Sequence, residues 1–122
     1  MRDLLSSALQ ITGIDVEGKK FDKVSRLVAT GDKGTCVMDY NDEIFPLSQH
    51  EKIRLTIMQG HDATKMTFEP YEYVMSGTYY KAMEEEGILK SFVSCGGLLL
   101  CVEGQLSAEL GSEIYVCVQK MK

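Results

Sequence analysis

Ser91-Phe92-Val93-Ser94-Cys95-Gly96-Gly97-Leu98-Leu99-Leu100-Cys101-Val102-Glu103-Gly104 consists of two strand-like runs joined by a pair of glycines. Paired glycines between such runs imply a sharp bend, a bulge or the close approach of another backbone. After them, five consecutive apolar residues from Leu98 to Val102 abandon the alternation that marks a half-buried strand. A strand apolar on both faces must be covered on both faces. In a barrel one face meets the interior; the other is covered either by the chain's own loops and termini or by a partner. Exposed apolar patches of this kind mark interaction sites. The reading carried forward places a partner protein on Gly96, Gly97, Leu98, Leu99, Leu100 and Cys101.

Outward from this stretch, period-two alternation recurs in short segments. Ile53, Leu55 and Ile57 alternate with Lys52, Arg54 and Thr56, and Ile114, Val116 and Val118 with Tyr115, Cys117 and Gln119. In both segments this predicts one row turned inward and the other toward solvent. Val24, Arg26 and Val28 lie opposite Ser25, Leu27 and Ala29, and Cys36, Met38 and Tyr40 opposite Val37 and Asp39. Tyr71, Tyr73, Met75, Gly77 and Tyr79 form a further row. Aromatic and β-branched residues suit such a pleated surface. Val16–Lys20 and Gly31–Gly34 read as turns, and Pro46 as a strand end. Gln59 to Thr67 reads as a connecting loop, and Ala82 to Gly87 as a charged turn or a short helical turn. No segment sustains the apolar spacing of an amphipathic helix. The expected fold is all-β, a single antiparallel barrel of about eight strands spanning residues 1–122, similar to an oligonucleotide-binding (OB) fold.

The chain has 122 residues, 44% hydrophobic and 25% charged, the make-up of an ordinary globular domain. No apolar run approaches the roughly 20 residues that span a bilayer, and Met1 to Ser7 lack the apolar core of a signal peptide, so an intracellular protein is expected. Cys36, Cys95, Cys101 and Cys117 form no close-spaced ligand pair, so reduced, packed thiols are expected, with no cofactor or metal. His50 reads as a surface residue in a turn, and His61-Asp62 lacks a second ligand pair. Glu84, Glu85 and Glu86 read as a solvated charge run. Nucleophile elbows, phosphate loops and zinc-protease motifs are absent from the sequence, and the expectation is no enzyme and no small-molecule substrate.

The net charge of −5 opposes a polyanionic partner. One local cluster runs against it: Lys19, Lys20, Lys23 and Arg26, with Phe21 among them. These residues suit a single-strand-binding patch with one stacking aromatic. They equally suit solvated turn positions around a core Phe21, or an Arg26 paired with a partner's carboxylate.

The same residues carry a family resemblance. Gly18-Lys19-Lys20-Phe21-Asp22-Lys23-Val24-Ser25-Arg26-Leu27 resembles the opening motif of the eighth subunit shared by eukaryotic nuclear RNA polymerases I, II and III. Asp39-Tyr40-Asn41, Ile44-Phe45-Pro46-Leu47 and Lys52-Ile53-Arg54-Leu55 follow in that family's order. Tyr71 to Met75, then Gly77 and Tyr80, resemble its central strand; Val93-Ser94 with Gly96-Gly97-Leu98-Leu99 resembles its glycine-leucine signature, and Ile114-Tyr115 with Lys120 its closing strand. The resemblance implies an OB-like barrel without catalytic activity, located in the nucleus. It also implies docking on the largest polymerase subunit, and a weak single-stranded DNA contact in the region Val16 to Asp39. Departures include a shortened loop from Gln59 to Pro70, Cys101 in place of a usual arginine, Cys95 in place of an aromatic, and Ser76 and Thr78 in place of bulkier residues.

Overall fold

Alternation becomes an inside and an outside when a sheet closes on itself. In the computed structural model, which describes residues 2–19, 21–60 and 70–121, eight antiparallel strands form the fold. They are β1 (Arg2–Ile14), β2 (Val24–Gly31), β3 (Gly34–Asn41), β4 (Lys52–Gln59), β5 (Tyr73–Glu85), β6 (Ile88–Cys95), β7 (Leu98–Glu103) and β8 (Glu113–Lys120). The ring runs β1-β2-β3-β7-β6-β5-β8-β4, so every strand has two neighbours. This is the expected all-β, OB-like barrel. No helix of the described residues is long and apolar enough to cross a membrane.

The interior is filled by the inward rows. Ile53, Leu55 and Ile57 of β4 meet Ile114, Val116 and Val118 of β8, and Leu27, Met38, Tyr79, Val93 and Leu100 close the other side. Phe45, in the connection after β3, is 5% exposed and stacks on Tyr73 with ring centroids 5.2 Å apart. Between β3 and β4, Asn41 caps the chain reversal by accepting the Glu43 and Ile44 amides on its Oδ1, at 3.0 and 3.1 Å. Pro46, read as a strand end, lies instead within the connection between β3 and β4, outside any strand.

Two further expectations are corrected, and one strand was not foreseen. Ala82–Glu85 is neither a turn nor helical: it continues β5, paired as Ala82↔Ser91 and Glu85↔Ile88. The reversal is confined to Glu86 and Gly87, both left-handed (φ 52° and 81°), the geometry of a two-residue hairpin turn. Tyr115 and Cys117 do not face solvent: they are 4% and 0% exposed and form an outer cluster with Met58, flanked by Tyr71 and Val74. The strand covered on both faces by its own chain is therefore β8. Lastly, β1 carries no sequence prediction, yet pairs with both β2 and β4.

Candidate partner-docking face

Gly96 and Gly97 (φ 60° and 95°) form the β6–β7 turn, and an added Cβ at either would meet nothing within 4 Å. They reverse the chain so that β7 re-enters the ring in pleated alternation. Leu100 and Val102 point inward, 1% and 3% exposed, while Leu99 stands outward at 40% with Cys101 half-buried on the same face. Of the residues expected to meet a partner, Leu100 is thereby corrected to the core. Leu98 is half-buried against it, and Leu99 and Cys101 remain on the outer wall. Five apolar residues in a row do not make a doubly apolar surface patch; the pleat divides them.

Register shows what surrounds these two. Val28↔Val37, Val37↔Cys101 and Cys101↔Phe92 are direct cross-strand partners, so four half-buried side chains form one apolar row across β2, β3, β7 and β6. Beyond it, Lys81 Nζ lies 5.4 Å from the Phe92 ring centroid, and Tyr80, itself 43% exposed, tilts against that ring at 6.3 Å. The neighbouring row is Arg26↔Asp39, then Leu99↔Ser94. The Leu99 amide donates to Asp39 Oδ2 at 3.0 Å, which ties the two strands together beyond their three ladder pairs. Arg26 donates to the same carboxylate through Nε at 2.6 Å and Nη2 at 3.2 Å. The hydrogen bond that Arg26 donates to Asp39 raises the Arg26 pKa. Sequence reasoning did not single out Val28, Val37 and Phe92, although each belongs to the outer row of an alternating segment.

The described cations of the basic cluster face carboxylates. Lys19 Nζ forms an ion pair with Asp42 and donates to Ser25 Oγ at 3.2 Å. Lys19 and Ser25 Oγ, the latter at 2.6 Å, both donate to the Asp42 carboxylate and hold its pKa below the usual range. Lys23 lies 3.7 Å from Glu43, and Arg26 pairs within its own chain with Asp39. Phe21 is 69% exposed, so it is not a core residue. Lys20, like His61 and Asp62, lies outside the described residues, as does most of the connection expected over Gln59 to Thr67. His50 is exposed in its turn, as expected. Among the described residues no group of His, Cys, Asp and Glu is placed to hold a metal ion. The four cysteines are free thiols, and burial pushes Cys36 and Cys117 up to about 12 and Cys95 to about 11.

Comparison with known proteins gives a consistent result. The family model described as RNA polymerase Rpb8 matches residues 6–120. A Caenorhabditis elegans protein described as probable subunit RPABC3 of DNA-directed RNA polymerases I, II and III is 28% identical, covering 96% of this chain and 95% of its own. Subunit 8B of the Arabidopsis thaliana DNA-directed RNA polymerases II, IV and V is 31% identical over 88% of this chain and 89% of its own. The Dictyostelium discoideum subunit rpabc3 is 29% identical, with 96% of each chain covered.

Proposed function

The chain belongs to the RNA polymerase Rpb8 family, and on that premise we propose that it is a scaffolding subunit which docks on the largest polymerase subunit through the outer wall of β7 and its neighbours. It is a non-catalytic component of the DNA-dependent RNA polymerase assembly, as are the relatives that carry the subunit name. Those relatives serve polymerases I, II and III, which supports a nuclear location. Scaffolding needs no reactive group. Burying apolar wall against one arrangement of a larger chain stabilises that arrangement over its alternatives.

The observation that carries this reading is Leu99. Its side chain is 40% exposed beside the half-buried Cys101 and Val37, while its backbone is fixed by pairing with Ser94 and by the bond to Asp39. A rigid strand holding an apolar side chain in water loses little entropy when a partner covers it. Single-strand nucleic-acid binding gains no support from Lys19, Lys23 and Arg26, each of which already faces a carboxylate. The test is recovery of the assembled enzyme on tagged protein from its own cells. The unaltered chain is expected to bring down both large subunits, and Leu99→Arg to lose them. If the unaltered chain recovers neither, the reading fails.

A further inference from the structure

Closing the ring leaves one length of strand outside it. β5 pairs with β8 only from Tyr73 to Thr78, and the Tyr79 amide and carbonyl then bond Ser112 and Gly111 at 3.1 and 2.7 Å. From there β5 runs on to Glu85 with β6 as its one neighbour. The two-residue turn at Glu86-Gly87 makes Glu85↔Ile88 the hydrogen-bonded pair that closes the hairpin, and alternation fixes the rest. Lys81, Met83 and Glu85 aim their backbone groups at β6, whereas Ala82 and Glu84 aim theirs away from it. The facing strand agrees: Leu89, the partner of Glu84, sends its carbonyl outward to the Gly104 amide at 2.7 Å. Ala82 and Glu84 are exposed, and among the described residues no hydrogen bond takes up their outward amides and carbonyls. Such an edge is a template for one more strand.

Charge selects the occupant. Two copies of this edge meeting antiparallel about a two-fold axis must set Ala82 or Glu84 against Ala82 or Glu84, the residues whose free backbone groups face outward. Three registers satisfy that. Glu84 against Glu84 puts like charges directly opposite each other, which is destabilising. Ala82 against Ala82 carries Glu85 of the second copy up to Tyr79, where Gly111 and Ser112 already hold the edge. Ala82 against Glu84 ends short of that segment and centres on a Met83 pair. It places Lys81 opposite Glu85 on one side and, by symmetry, Glu85 opposite Lys81 on the other, with the two Glu84 side chains diagonal rather than facing. Glu85 lies 3.7 Å from Lys90 of its own hairpin, and a carboxylate accepts from more than one cation. We infer that the chain, outside the polymerase, forms a two-fold dimer by adding β5 to β5 across this edge in the Ala82-to-Glu84 register. The contact closes on itself, because β6 of each hairpin is already paired with β7 from Lys90 onward, so two open edges disappear and none is created. The inference stands apart from the docking reading.

The test is sedimentation of the full chain as its concentration is raised to millimolar, where a monomer–dimer equilibrium is expected. Lys81→Glu or Glu85→Lys alone turns both symmetric pairs into like charges and is expected to weaken the dimer about tenfold, while the two together restore it. Ala82→Pro removes an outward amide that β6 does not use, so it is expected to abolish association and leave the thermal transition in place. Should that variant fail to fold, the charge reversals decide alone. Hydrogen exchange gives the location: the Ala82 and Glu84 amides are expected to slow as dimer forms. A chain that stays monomeric throughout overturns the inference. So does association that survives Ala82→Pro, or that the double reversal fails to restore. Slowing of these amides only in the assembled polymerase overturns it too, and gives the edge to a strand of another subunit.

Discussion

Leu99 and Leu100 share a strand and a side-chain type, and the pleat gives them opposite environments: 40% exposed on the outer wall and 1% exposed in the core. Leu100→Ala removes buried methyl groups next to Val93 and Met38, its cross-strand partners, and is expected to cost about 2–5 kcal/mol in denaturant unfolding. Leu99→Ala is expected to stay within about 0.5 kcal/mol of the parent while weakening recovery of polymerase. Reversal of that pattern would mean that the faces of β7 are assigned the wrong way round. The thiols give a second reading at this scale. Cys36 and Cys117 are pushed up to about 12 from an ordinary 9.0, chiefly by burial. From pH 9 upward the unfolded chain releases these protons and the folded chain keeps them, so the contribution is fully present below about pH 9 and is lost as pH rises toward 12. Stability measured across that window is expected to decline. Alkylation at neutral pH is expected to reach Cys101, the one half-buried thiol, before the other three.

At the scale of the element, a glycine marks where two strands approach too closely for any side chain. A Cβ on Gly77 of β5 would lie 2.3 Å from the Ser94 carbonyl oxygen and 2.6 Å from Cys95 Sγ. The first of these is backbone, so Gly77→Ala must push β6 away from β5, at an expected cost of about 1–3 kcal/mol. Gly87, in the β5–β6 turn, has a positive φ and open space around it. There Gly87→Asn is expected to be near neutral, since Asn visits the left-handed region readily. Thermal unfolding of the two variants measures the difference. Elements also show where alternation is legible. The inward row of β4 is plain in sequence because Ile53, Leu55 and Ile57 are large and alternate with Lys52, Arg54 and Thr56, although Thr56, expected to face solvent, is buried. Those of β1 are not: Ser7, a small polar residue, occupies an inward position beside Leu9 and Ile11, and register shifts at Asp3/Leu5 and Ile11/Gly13 break the period. The outer cover of Tyr115 and Cys117 depends on Met58, Tyr71 and Val74, which arrive from other strands or from the chain before β5, and a period of two cannot report it.

For the whole molecule, ring closure and charge together decide which partners the barrel accepts. Glycine-leucine and basic motifs are both visible in sequence, but only the folded ring shows that the first presents Leu99 and hides Leu100 while the described cations of the second are paired. The net charge is −5, and the three described cations of the opening motif lie against Asp42, Glu43 and Asp39. A phosphate approaching Lys19 must displace a carboxylate already held by two hydrogen bonds, one of them 2.6 Å from Ser25 Oγ. At physiological salt the screening length is about 8 Å, so distant acidic groups fade while these contact pairs persist. Each phosphate truly neutralised would add close to one unit, about 0.7 for single strands, to the slope of affinity against salt on logarithmic axes. The isolated protein is therefore expected to retain no oligothymidine at physiological salt and only weakly at low salt, with a shallow slope. Lys23→Glu is expected to leave that weak retention unchanged. Steep salt dependence that disappears on this substitution would show that the pairs open for phosphate, and the barrel would then be a nucleic-acid reader as well as a scaffold.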